Sequence, residues 1–189
     1  MSQLLDLIQS RRSDRHFSQQ SVSNQDIKDL LEAFRWAPSC NNRQPWRVVL
    51  ARSASAQEAF DAALSEGNRP WAPAASLKMI ILGVPEEQPE KNGQQSYLLD
   101  VGFAMQNMML QGYAMGLTIH AMAGFDVNKI RDAFDIPASA QPVALMVAGY
   151  RGVVEQLPEA VRVKDLKPRT RKNLEEFSFA NRYGEKDGF

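Results

Sequence analysis

Residues 96–116 read SYLLDVGFAMQNMMLQGYAMG, a long methionine-rich run that is apolar on most sides. That pattern predicts a central helix buried within the domain rather than lying on its surface. Asp100, Gln106, Asn107 and Gln111 interrupt it, which argues against a membrane span of about 20 predominantly apolar residues. Upstream, Leu77 to Val84 is a run of strand formers bounded by Pro73 and Pro85, and Arg47 to Ala51 is a shorter strand candidate. Downstream, Asn128 to Phe134 reads as a short helix and Val143 to Tyr150 as a strand. Ala56 to Leu64 is a further helix, and Pro85 to Gln95 a polar loop. Strands separated by helices give a layered α+β or α/β architecture, and periodicity alone does not choose between them.

The amino-terminal third is better punctuated. Leu4, Leu5, Leu7 and Ile8 recur at helical spacing after Ser2, a good cap, and predict a short helix ending before a basic cluster. A second helix begins at Ser23, with Asp26 three residues on and Val22 and Ile27 placed as a hydrophobic staple. Ile27, Leu30, Leu31 and Phe34 form its apolar face, and Pro38 ends it. After Tyr150 the chain turns polar, and Phe177 and Phe179 alternate around Ser178 as a final strand would.

The 189 residues suit one domain spanning 1–189. Lysine plus arginine and aspartate plus glutamate are equal at 22 each, so no global field attracts nucleic acid or an acidic membrane. A single cysteine excludes an internal disulfide framework, and two histidines are too few for a histidine-rich metal site. Asp6, Arg11 and Arg12 interrupt any secretory signal early. These features lead us to expect a soluble, cytoplasmic protein. The sequence has no glycine-rich dinucleotide fingerprint, phosphate loop, His-Glu-x-x-His or Cys-x-x-Cys.

Three groups of residues could carry chemistry. Arg11, Arg12, Ser13 and Arg15 combine guanidinium forks with a hydroxyl, which matches the charge and geometry of a phosphate. On composition a solvated basic turn fits them as well. A second basic group includes Lys167, Arg169 and Arg171, and the two could close on one anion if the fold brings them together. Asn41, Asn42 and Gln44 set three carboxamides between Pro38 and Pro45. Each offers a donor and an acceptor to a heterocycle edge, or simply a polar turn held by prolines. Ala121 to Phe125 supplies small residues where a backbone could approach a flat ring, although a tight turn explains them too. Cys40 shows no triad-like partner spacing, so we expect a buried small residue rather than a nucleophile.

In order, Arg11-Arg12-Ser13-Asp14-Arg15, Pro38-Ser39-Cys40-Asn41-Asn42-Arg43-Gln44-Pro45-Trp46 and Gly116-Leu117 through Gly124-Phe125 resemble the nitroreductase family of flavin enzymes. The resemblance covers roughly residues 4–182 and is thinnest between about 52 and 95. It implies an α+β, three-layer α/β/α fold: a mostly antiparallel central sheet, a long buried central helix, and a C-terminal strand reaching a dimer partner. It also implies bound FMN at the interface of a homodimer. Arg11, Arg12, Ser13 and Arg15, with Arg169 and Arg171, would hold its phosphate and ribityl chain. Pro38, Ser39, Cys40, Asn42 and Gln44 would form the amide-rich loop beside it. Asn68 would touch the ring, Trp71 would pack, and Ala123 or Gly124 would lend a backbone N–H to the reactive ring nitrogen. Cys40 stands where alanine, serine or glycine is usual, Asn41 where glycine is common, and Ala123 where some relatives have glutamate.

The implied activity is transfer of hydride from NADH or NADPH, then reduction of an electron-poor small molecule such as a nitroaromatic, quinone or activated alkene. The nicotinamide would come and go at one site, giving ping-pong kinetics with no catalytic acid or base. Two other readings fit the same residues: a flavin-binding redox sensor or carrier without efficient turnover, and a relative that remodels the flavin itself.

Overall fold

The computed structural model describes residues 4–90 and 92–186. Its centre is a sheet of β1 (Trp46–Leu50), β2 (Leu77–Gly83), β3 (Leu117–Met122) and β4 (Gln141–Tyr150), in the order β1-β2-β4-β3 with every pairing antiparallel. The choice that periodicity left open is therefore settled for α+β. Successive side chains of a strand point to opposite faces, so alternate residues of one strand serve two cores. Leu77, Met79 and Ile81 face α2 (Asn24–Arg35) and α4 (Ser96–Ala114), beside Leu30, Phe34, Val101 and Met108. Ile80 and Leu82 face the other way, toward Phe60 of α3 (Ala54–Ala62) and Ile130 of α5 (Val127–Ala133). Helices on both faces make the three layers.

The local reasons for the helices are specific. Asp26 N–H donates to Ser23 Oγ at 3.0 Å and Ser23 N–H donates to Asp26 Oδ2 at 3.0 Å, so α2 opens with a complete capping box. Losing such a cap costs about 1 kcal/mol. Ile27, Leu30 and Phe34 are its buried stripe, and Phe34 meets Trp46 edge-on with centroids 5.8 Å apart. Ser53 caps α3 through Ala56 N–H, which moves that helix two residues toward the amino terminus of the expected span. A short α1 (Asp6–Ser10) precedes the basic cluster and buries none of its residues; Ser2, its expected cap, lies outside the described residues.

Two expectations are corrected. One is the all-round burial of α4: Tyr97, Asp100, Val101, Ala104 and Met108 are buried, but Leu98, Leu99 and Phe103 are exposed. The chain's own sheet and α2 cover only one side of it. The other is the final strand. Phe177 and Phe179 lie outside any strand; Leu174–Glu176 is a single turn of 3₁₀ helix, and Phe179 bridges Lys186 of the same tail. Gly184, at φ 89°, turns the chain back on itself, and so short an alternation has no neighbouring edge to hold it. No helix of the described residues is long and apolar enough to cross a membrane.

Candidate functional site

The segment after α1 is pinned along the end of β4: Ser18 N–H donates to Tyr150 O at 2.9 Å, and Gly152 N–H donates to His16 O at 3.1 Å. This sets Arg11, Arg12, Ser13 and Arg15 along one wall of a cleft of about 290 Å³. The other wall follows α6 (Glu159–Asp165) and carries Lys164, Lys167, Arg169 and Arg171. The two basic groups that the sequence left apart therefore meet. Arg169 Nη1 donates to Arg11 O at 2.5 Å, and its Nη2 donates to Gln9 O.

The arginines divide into two sets. Arg12 Nε lies 3.0 Å from Asp14 Oδ1, and its Nη2 donates to Asp165 O at 2.6 Å. Arg15 Nη1 donates to Asp165 Oδ1 at 2.8 Å. Arg11, Arg169 and Arg171 have no ion-pair partner among the described residues. Burial, and then repulsion from Arg169 and Arg171, pushes the Arg11 guanidinium below its ordinary pKa. Asp14 and Asp165 also line the cleft but are paired with Arg12, Arg15 and Arg151, so the cations left without an ion pair are relieved by a bound anion, and a phosphate matches their fork geometry.

A chain of side-chain contacts runs from this cleft to β3, which leads into the small-residue loop. The Arg15 guanidinium lies over Trp71, 5.6 Å from the ring centroid, and Trp71 stands 4.5 Å from His120, centroid to centroid. Trp71 is buried, as expected of a packing residue, and its indole N–H donates to Gly67 O at 3.0 Å. Asn68 Nδ2 donates to Gly124 O at 3.0 Å, so Asn68 and the Ala123–Gly124 loop are brought together. A Cβ on Gly124 would sit 2.8 Å from Ser65 Oγ, so the close approach depends on glycine. A cavity of about 570 Å³ opens beside Ala123 and Gly124, with Arg69 and Lys129 also on its lining.

The amide loop is built locally. Cys40–Asn42 form a 3₁₀ turn, and Asn41, Asn42 and Gln44 all have φ near the left-handed region, at 53°, 54° and 52°. Asparagine tolerates that conformation better than most residues. Gln44 N–H donates to Ser39 Oγ at 3.0 Å, and Gln44 Nε2 donates to Asn42 Oδ1 at 3.0 Å. Buried Asp100 of α4 anchors the turn by accepting from Cys40 N–H at 3.3 Å. Cys40 is exposed in the single chain, just before the left-handed residues Asn41 and Asn42. Pro38, Ser39, Cys40, Asn42 and Gln44 do not line the basic cleft of their own chain.

Sequence reasoning missed Asp14, Asp165, His120 and Arg151. Asp14 takes Arg12 on one oxygen and Arg151 on the other, the latter at 2.8 Å. Burial, and then Arg15, lowers the pKa of His120, whose Nδ1 sits 3.4 Å from Asp14 O. The doubled arginines at 11 and 12 could have prompted a search for buried acids, but nothing local identifies Asp165. The donor set fits a ligand with a phosphate at one end and a flat ring at the other.

The model of the nitroreductase family matches residues 8–150, and the chain belongs to that family. It is 29% identical over 169 residues to an NADH dehydrogenase of Thermus thermophilus, covering 74% of this chain and 82% of that protein. It is 25% identical over 154 residues to an Archaeoglobus fulgidus protein described as an NADH dehydrogenase/NAD(P)H nitroreductase, covering 79% and 86%. A solved oxidoreductase containing FMN superposes with a TM-score of 0.87 at 26% identity, covering 98% of this chain and 96% of that one.

Proposed function

We propose that the chain is an FMN-dependent oxidoreductase that takes hydride from NADH or NADPH and reduces an electron-poor acceptor such as a nitroaromatic, quinone or activated alkene. The observation that carries this reading is the convergence of Arg11, Arg169 and Arg171 with no ion-pair partner among the described residues. Residues 1–189 act as one FMN-binding domain. Arg11, Ser13, Arg169 and Arg171 would take the phosphate, with Arg12 and Arg15 beside them. Asn68, Ala123 and Gly124 would border the ring. Bound FMN supplies hydride acceptance and donation in two separate halves. The chain's residues bind and orient it and keep water away, and none is assigned as acid or base.

The working unit is a homodimer. Ser39, Asn42 and Gln44 lie outside the basic cleft of their own chain, so the partner copy supplies Pro38, Ser39, Cys40, Asn42 and Gln44 to each site. Exposed Leu98, Leu99 and Phe103 on one helix, α4, support the same reading, because large apolar side chains left on the surface favour an interface. A chain with a single cysteine and no disulfide suits the cytoplasm.

The test is purification followed by kinetics. The protein should be yellow with flavin near one per chain, and double-reciprocal plots for NADH and a nitroaromatic should be parallel. A colourless protein that refuses added FMN overturns the reading, and intersecting lines overturn the shared site.

A further inference from the structure

We propose that Asp165 is a positioning residue that joins the two halves of the basic cleft and so sets preference for a phosphorylated over an unphosphorylated flavin. The proposal rests on the FMN reading above. Asp165 closes α6, outside the residues 8–150 that carry the family match. Its side chain is only 2% exposed, yet every acceptor it has is taken by one segment of chain about 150 residues away. Oδ2 accepts the Arg15 N–H and His16 Nδ1, each at 2.8 Å, and Oδ1 accepts Arg15 Nη1 at 2.8 Å. Its backbone oxygen accepts Arg12 Nη2.

A buried carboxylate is tolerated only when paired and hydrogen-bonded, and here the pairing has a mechanical result. Lys164, Lys167, Arg169 and Arg171 flank Asp165 on its own segment, while Arg11, Arg12 and Arg15 stand opposite. Like charges would drive these walls apart. Asp14 pairs with Arg12 and Arg151, so Asp165 is the carboxylate that crosses between the walls, and the tie from Arg169 reaches only backbone oxygens. Asp165 also fixes what Arg15 can do. The guanidinium is held edge-on by the carboxylate and face-on over Trp71, so it cannot swing away from the cleft. Arg12 is held the same way, between Asp14 and the Asp165 carbonyl, which leaves its Nη1 without a partner among the described residues. A ligand phosphate would therefore meet guanidiniums already oriented, whereas a ligand without one gains nothing from that order.

Asp165→Asn keeps the shape of the side chain and the carbonyl that holds Arg12, so it isolates the carboxylate. His16→Ala removes one donor to Asp165 from a residue that lines the neighbouring cavity of about 420 Å³ and not the basic cleft. The full-length chain, stripped of flavin, is titrated with FMN and with riboflavin by fluorescence quenching. For Asp165→Asn we expect FMN to weaken about tenfold or more, the scale of a charge-assisted hydrogen bond, and riboflavin by less than about twofold. His16→Ala should weaken FMN about threefold and leave riboflavin unchanged; it carries the test alone if Asp165→Asn does not fold. Equal weakening of both ligands means a merely structural role and overturns the proposal, as does unchanged FMN affinity. A wild-type chain that binds FMN no better than riboflavin overturns the FMN reading itself, and the wild-type titration reveals that separately.

Discussion

Lys78 Nζ lies 2.6 Å from Asp61 Oδ2, inside the layer between β2 and α3, with the lysine side chain only 3% exposed. Alternation along β2 points Lys78 to the same face as Ile80 and Leu82, so an ammonium sits in an otherwise apolar row. Removing one partner of a buried pair leaves the other uncompensated and costs about 3 kcal/mol or more. Asp61→Ala should lower unfolding free energy by about that amount in a urea titration. Adding Lys78→Met should recover most of the loss. A double variant as unstable as the single one would show that the pair is not the cause.

Arg11 should behave in opposite senses in the free and loaded protein. Its guanidinium is depressed by burial and then by Arg169 and Arg171, so it is repelled until an anion arrives. Arg11→Ala should leave the flavin-free melting temperature equal or higher at low salt. It should weaken FMN by about tenfold, as loss of a charge-assisted contact requires. Parallel loss of stability and FMN binding would contradict the role.

The pH profile of stability should have two stages below neutrality. Burial, then Arg15, holds His120 below its ordinary 6.5. The unfolded chain therefore takes up this proton first, and stability declines as pH drops below about 6.5. Burial works against the Asp165 carboxylate, but donors from the Arg15 N–H, His16 and the Arg15 guanidinium outweigh it and keep its pKa below 3.8. Its contribution is full above about 3.8 and is lost only as pH falls below that. Thermal melts of His120→Gln should lack the first decline and keep the second; an unchanged profile would refute the assignment.

Cys40 is exposed on the loop that carries Ser39 and Asn42. Cys40→Ala should leave turnover within a few-fold, because the residue contributes shape and no covalent step. A loss of about 10³-fold, the scale of a removed nucleophile, would overturn that.

Helix α2 was legible because its determinants are local: Ser23, Asp26 and the Ile27, Leu30, Phe34 stripe sit within a dozen residues. The basic cleft was legible only as two halves. Asp165 stands between Lys164 and Lys167, where an acid reads as a solvated counter-charge, and only the fold reveals its partners at 12, 15 and 16. The left-handed backbone at Asn41 and Asn42 was not legible, because the loop's tie to Asp100 joins residues 60 apart in sequence. On α4 the apolar pattern located the helix, but Leu98, Leu99 and Phe103 are exposed in the single chain.

The tail offers the sharpest test of the dimer. Leu174 and Phe177 are each 59% exposed and Tyr183 is 94% exposed, and none belongs to either core of the chain. Phe179 meets Tyr183, with ring centroids 4.8 Å apart, and bridges Lys186. Apolar side chains left outside their own core are covered when another surface is available. Ending the chain at Asn173 keeps Arg169 and Arg171 and removes these residues. The melting temperature of the flavin-free core should then change little, because no described residue past Asn173 belongs to either core cluster. Light scattering should report smaller particles, and FMN should be lost, because Ser39 and Asn42 of the second copy no longer reach the arginine cleft. A truncated chain that is monomeric yet holds FMN tightly would show that one subunit builds the whole site, and the shared-site model would have to be given up.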